Sequence, residues 1–235
     1  MQSGNSHVVI SAKGITRRFG KRLVLDNLDF ELPAGQIYGI SGPNGSGKSV
    51  FLRILTGLVL PNQGEVRVFD QRIGKDVEFP ASTGALIDRP GFLPHSSGFR
   101  NLELLARIRG FATPTKISET MYFVGLDPHD PKPVGTYSTG MRQRLGFAQA
   151  IMEDPDLLIL DEPTNGLDFD GQREIYSHLV ELRRQGKTIL LTSHNREELR
   201  ILCDAIWIMQ NGRLQPSADE VETDWITATT TYRES

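Results

Sequence analysis

The run Gly42-Pro43-Asn44-Gly45-Ser46-Gly47-Lys48-Ser49 constrains the fold of this chain more than any other feature. Its spacing is G-x-x-x-x-G-K-[ST]. Ahead of it, Gln36 to Ser41 is an apolar stretch that reads as a buried strand. Behind it, Val50 to Leu58 places apolar residues at helical spacing. A strand, a glycine-rich turn and a helix in that order build an anion cradle. The glycines let successive backbone N–H groups converge where a Cβ would obstruct them. The helix start adds unpaired donors and a partial positive charge. Lys48 is then placed to reach β- and γ-phosphates, and the Ser49 hydroxyl to ligate Mg²⁺.

The rest of the composition is that of an ordinary soluble globular protein, long enough for one large domain or two small ones. A net charge of −3 calls for no nucleic-acid or anionic-membrane partner. The single cysteine, Cys203, excludes an intrachain disulfide, fits a reducing compartment and reads as a core residue. No apolar run approaches the ~20 residues of a membrane helix, and Met1 to His7 lacks a signal-peptide core. Any association with a membrane is therefore expected to run through another protein.

Residues 8–35 read as antiparallel β, with strands at Val8–Ile10, Leu23–Leu25 and Leu28–Leu32 and a turn at Phe19 to Arg22. Glu65 to Phe69 is a further short strand. Helical spacing covers about 100–126, then Pro128, Pro131 and Pro133 force a loop. Helices are expected at roughly 140–153 and 170–185. Leu157 to Leu160 is a continuous apolar run, as expected for a strand buried on both faces, and Thr188 to Thr192 is a further strand. Ala205 to Met209, Asn211-Gly212 and Arg213-Leu214 read as a hairpin. The expected fold is α/β: a parallel sheet with helices around the phosphate loop, an N-terminal antiparallel β subdomain and a helical insertion. It forms one domain over 1–215, with the insertion at about 85–153 and a polar tail over 216–235.

Two further segments carry chemistry. Asp161 ends the buried run Leu157 to Leu160, where a carboxylate is placed to hold Mg²⁺. Glu162, one residue on, is placed to polarise an attacking water as general base. A second core strand ends in Thr192-Ser193-His194, and His194 is a candidate phosphate contact. Ser138 offers a hydroxyl and Gly140 a bare backbone N–H at a helix start, a second anion site separate from the first.

With these residues in hand, the chain resembles the nucleotide-binding subunit of an ABC transporter over roughly residues 8–215. The motifs stand in that family's order: the phosphate loop, the segment Tyr137-Ser138-Thr139-Gly140-Met141-Arg142-Gln143-Arg144 (similar to L-S-G-G-Q-x-Q-R), Asp161-Glu162, the D-loop Asn165 to Asp168, and the switch histidine His194. The segment at 137–144 separates the family from other P-loop ATPases. The resemblance implies ATP and Mg²⁺ as cofactors. It carries nucleotide contact to Phe19, to the residues Gly42 through Val50, and to Ser138 and Gly140. Metal contact falls to Ser49, Asp88 and Asp161, and catalysis to Lys48, Glu162 and His194. It further implies that Ser138 and Gly140 face the phosphate loop of a second copy, or of a homologous subunit, with two ATP molecules between them.

The chain departs from the family pattern at several positions. Thr139 replaces the first glycine of the signature, and Met141 its glutamine. Phe19 matches the aromatic that stacks on adenine, keeping the ring face and losing the hydroxyl of the usual Tyr. Asp88 stands where the family has Gln or Glu, with a shorter reach toward the metal. Around Gly84 to Pro90 and Tyr137 to Gly146 the sequence most resembles ABC-2-type exporters of the bacitracin-resistance or sodium-extrusion kind. The resemblance then implies export through a separate membrane permease. That permease would dock against the apolar loop Asp88 to Asn101, containing Phe92, Leu93 and Phe99, and hold this subunit at the cytoplasmic face of the membrane. A non-transport ABC ATPase with a translation or DNA-repair partner is the alternative.

Overall fold

The computed structural model describes residues 7–88, 90–110 and 112–218. The expected polar tail falls outside them from residue 219 on. Two long strands, β1 (Val8–Phe19) and β2 (Arg22–Pro33), form an antiparallel hairpin about Gly20-Lys21. The short strands read from the sequence are pieces of these two. Their apparent breaks are irregularities in register on either side of Ile15, which pairs with Leu28; Asn27, at φ 47°, lies in the one toward Arg17. A bulge interrupts the apolar alternation without ending the ladder. With β4 (Gln63–Val68) and β5 (Gln71–Arg72) they make a four-stranded sheet ordered β2-β1-β4-β5.

A second sheet contains β3 (Ile37–Ser41), β6 (Thr83–Leu86), β7 (Leu157–Asp161), β8 (Thr188–Ser193), β9 (Ala205–Gln210) and β10 (Arg213–Pro216). Its order is β10-β9-β3-β8-β7-β6, parallel from β9 to β6 with β10 antiparallel at one edge. The continuous apolar runs of β7 and β8 follow from burial on both faces. Leu158, Leu160, Ile189 and Leu191 point into one core, and Leu157, Ile159 and Leu190 into another. Each such side chain contributes about 1.5–3 kcal/mol. The second core joins the two sheets. Phe30 of β2 packs edge-on against Phe51 and Trp207, with ring centroids 5.5 and 5.1 Å apart.

Helix α1 (Lys48–Leu55) follows β3, and α2 (Gly98–Arg109) and α3 (Pro114–Phe123) follow β6. The helical pattern over 100–126 is thus two helices. Gly110, at φ 76°, caps the first, while the Thr113 hydroxyl accepts from the Lys116 N–H and Pro114 opens the second. Next come α4 (Thr139–Ile151) and α5 (Phe169–Arg184). A short helix, α6 (Arg196–Leu202), escaped the sequence reading although Asn195 caps it. Cys203 is fully buried, and burial pushes its thiol pKa well up. No helix among the described residues is long and apolar enough to cross a membrane.

Candidate active site

The carboxyl ends of β3, β8 and β7 lie side by side in that order, so the segments that leave them meet at one edge of the sheet. From β3 comes the loop 42–47. A Cβ on Gly42 would lie 2.3 Å from the Met209 carbonyl oxygen, and Gly47 sits at φ 116°, which a side chain resists. The loop is wedged between the hairpins: Gly212 donates its N–H to the Ser46 carbonyl at 3.1 Å. The first helical bond of α1 runs from the Phe51 N–H to the Gly47 carbonyl. The N–H groups of Lys48, Ser49 and Val50 therefore lie ahead of the ladder. Lys48 is buried, and its ammonium donates to the carbonyls of Gly42 at 2.6 Å and Pro43 at 3.3 Å. Pro43, Asn44 and Gly45 are exposed, whereas Ser46 is buried and its hydroxyl has no hydrogen-bond partner among the described residues.

From β7 come the two acids. Asp161 accepts a 2.6 Å hydrogen bond from the Thr192 hydroxyl. Glu162 takes φ 47°, uncommon for a residue with a side chain. Its carboxylate lies 3.4 Å from His194 Nδ1 and accepts from the Asn165 amide at 3.3 Å. His194 follows β8 with its side chain 64% exposed.

Phe19 stands at the tip of the β1–β2 hairpin, 44% exposed. That exposure rules out a core phenylalanine. The Arg17 guanidinium lies over its ring, 4.4 Å from the centroid. The tip is close to the phosphate loop, since a Cβ on Gly45 would lie 3.8 Å from Arg22 Nη2. Asp88, one residue beyond Ile87, sits at φ 59°. It is held by Arg53 of α1, whose Nε and Nη2 donate to its carboxylate at 2.9 and 2.6 Å.

Ser138 caps α4, its hydroxyl accepting from the Met141 N–H at 3.1 Å. Gln143 donates to the carbonyls of Glu162 and Pro163 and ties α4 to the acids. The methyl of Thr139 lies over Gly166 of the D-loop, which gives the first signature departure an intrachain role. Among the described residues, no hydrogen bond or ion pair joins Ser138 or Gly140 to the loop 42–49 of the same chain. A Cβ on Gly140 would meet only Leu167 at 3.4 Å and the Ser138 hydroxyl at 3.9 Å, ordinary contacts. Among the described residues, nothing packed against Gly140 requires a glycine there.

A family described as ABC transporter matches residues 25–165 of this sequence. The chain belongs to the ABC transporter family. An uncharacterized ABC transporter ATP-binding protein of Bacillus subtilis, YybJ, is 39% identical over 209 residues, covering 89% of this chain and 96% of its own. The bacitracin transport ATP-binding protein BcrA of Enterococcus faecalis is 38% identical, over 88% of this chain and 68% of its own. The lantibiotic transport ATP-binding protein SrtF of Streptococcus pyogenes is 34% identical, over 88% and 89%. Among solved structures, a dimeric ATP-binding cassette in a post-hydrolysis state with ADP and Pi superposes with a TM-score of 0.80 at 22% identity, over 88% of this chain and 97% of that one. The expected fold is thereby borne out. The chain is an ABC ATPase, an ATP-binding subunit of the transporter family, and ATP is its nucleotide.

Sequence reasoning did not find Thr192, which lies between the acids and the core, nor the Met209–Gly212 turn that buttresses the phosphate loop. The only signal for Thr192 was a hydroxyl inside an apolar strand.

Proposed function

We propose that this ABC ATPase hydrolyses ATP at a site completed by a second copy or a homologous subunit, and that the resulting cycle drives export through a separate permease. The observation that carries this reading is Gly140. It is the second residue of α4, two positions after the capping Ser138; nothing packed on it among the described residues excludes a side chain, and its N–H lies at a helix start. A glycine there suits the close approach of an outside anion.

In this reading the loop from Gly42 to Val50 takes the phosphates, and Lys48 spends its remaining N–H on them. Phe19 stacks on the base with one face while Arg17 covers the other. Glu162, turned outward by its backbone, accepts the proton of the attacking water. His194 contacts the γ-phosphate and shares the water-side geometry through Glu162. The oxygen donors suit Mg²⁺: the Ser49 hydroxyl and the Asp161 carboxylate would hold it. Phosphate oxygens and water would complete its shell. The ion would supply neutralisation of the phosphate charge. For Asp88 we assign a share in metal binding through water only, because Arg53 takes its carboxylate in a two-pronged pair.

The permease would seat against the exposed apolar side chains Leu58, Leu60, Phe79 and Leu93. Phe92 and Phe99, by contrast, pack on this chain's own helical core. The relatives named for bacitracin and lantibiotic transport favour transport over translation or DNA repair. Purifying the chain from membranes should bring down a polytopic partner, and a ribosomal or DNA-repair partner instead would overturn the proposal.

Gly140→Ala separates the two uses of that position. Thermal stability should hold or rise, because Ala is better in a helix by up to about 1 kcal/mol. Turnover should fall about 10²-fold, the scale of one lost preorganised donor. Unchanged ATPase activity in this variant would remove Gly140 from the site.

A further inference from the structure

Asp161 and Glu162 are adjacent in sequence but have different tasks in the proposed site, and something must hold them apart. Thr192 lies directly between the strand end and the core. In the β7–β8 ladder it is the partner of Asp161, and on its other side it pairs with Ile40 of β3. Its side chain is fully buried. Its hydroxyl has one proton, directed to Asp161 Oδ1 at 2.6 Å. A lone pair of the same oxygen accepts the backbone N–H of Glu162 at 3.0 Å. One atom therefore fixes the side chain of the first acid and the main chain of the second.

The consequence is directional. With its N–H anchored, Glu162 is held at φ 47°, a turn that sends its carboxylate toward His194 instead of along the strand. With its Oδ1 occupied, Asp161 presents its other oxygen. The adjacent Ser193 does not substitute for this hydroxyl, because it donates its own to Glu198 at 2.5 Å.

Given Asp161 and Glu162 as the metal-holding and water-polarising residues proposed above, the geometry points to Thr192 as the positioning residue that separates their roles. Its hydroxyl acts through both acids, to which its two hydrogen bonds go.

Three variants test this: Thr192→Val, which keeps the shape and removes the hydroxyl, Thr192→Ser, which restores it, and Glu162→Gln as reference. In the purified full-length chain, Thr192→Val should lower kcat about 10- to 100-fold. Its KM for ATP, and its affinity for ATP in EDTA, should stay within about twofold of the parent. Thr192→Ser should recover most of the lost kcat. Backbone hydrogen exchange gives a readout apart from activity: the Glu162 amide should exchange about tenfold faster in Thr192→Val and at the parent rate in Thr192→Ser. Parent-like kcat and Glu162 exchange in Thr192→Val overturn the assignment. So does an equal loss in the Val and Ser variants, which would mark a packing role. If Glu162→Gln is inactive while Thr192→Val is fully active, only the role of Thr192 falls. If Glu162→Gln turns over normally, the reading of the acids falls with it.

Discussion

Replacing Glu162 by Gln should reduce ATP turnover about 10²- to 10⁴-fold, the contribution of a positioned general base, while leaving ATP binding intact. The substitution is nearly isosteric. The Gln carbonyl can still accept from the Asn165 amide that holds Glu162 at 3.3 Å, and the backbone N–H keeps the Thr192 hydroxyl. The left-handed φ at this position suits Gln no worse than Glu. Stability should therefore move by no more than about 0.5 kcal/mol. What is lost is the carboxylate 3.4 Å from His194, and with it the proton acceptor. If two copies close on ATP and hydrolysis reopens them, this variant should accumulate as an ATP-dependent dimer in size-exclusion chromatography. A variant that stays monomeric at saturating Mg·ATP would deprive the two-copy mechanism of its main support.

The second large effect is expected for Lys48→Ala. Lys48 is buried at the start of α1, with its ammonium drawn onto the carbonyls of Gly42 and Pro43. It is thus oriented by the loop it serves, and its third N–H remains for an outside acceptor. A charge-assisted hydrogen bond contributes about 1.5–3 kcal/mol, so ATP affinity should drop about 10- to 100-fold. Negative charge builds on the β–γ bridging oxygen as its bond to the γ-phosphorus breaks, within reach of a lysine placed over both phosphates, so kcat should fall further than affinity. Titration calorimetry with Mg·ATP and steady-state ATPase assays measure the two separately. Retention of both parent values would show that the loop N–H groups alone carry the phosphates. Lys48→Arg is not a rescue, since the planar guanidinium does not fit the space of a buried ammonium.

The P-loop and the acids were legible in the sequence because their chemistry is local. A glycine loop between a strand and a helix, or an acid at the end of an apolar run, is defined by neighbours in the chain. Helix starts were legible for the same reason where a capping side chain stood in view, as at Ser138. The strand breaks in β1 and β2 were misplaced because a bulge and a turn give the same lapse in alternation. Helix α6 is not legible in the sequence because seven residues carry too little apolar period. At Asp88 the sequence indicated only a shorter side chain. Its partner Arg53 is 35 positions away and meets it only because α1 folds back past the end of β6.

By itself, then, the sequence set a glycine loop between a strand and a helix, ended a buried strand in two acids and offered Ser138 and Gly140 as a candidate second anion site. These follow from side chains and backbone freedom within a few residues of each other. Only the tertiary structure decided how the two acids are held apart, because that depends on the register of β7 against β8, which sets a buried hydroxyl between residues 31 and 30 positions away. It also decided that Gly140 is not required by its own chain, since the space around a residue exists only once the surrounding elements have packed.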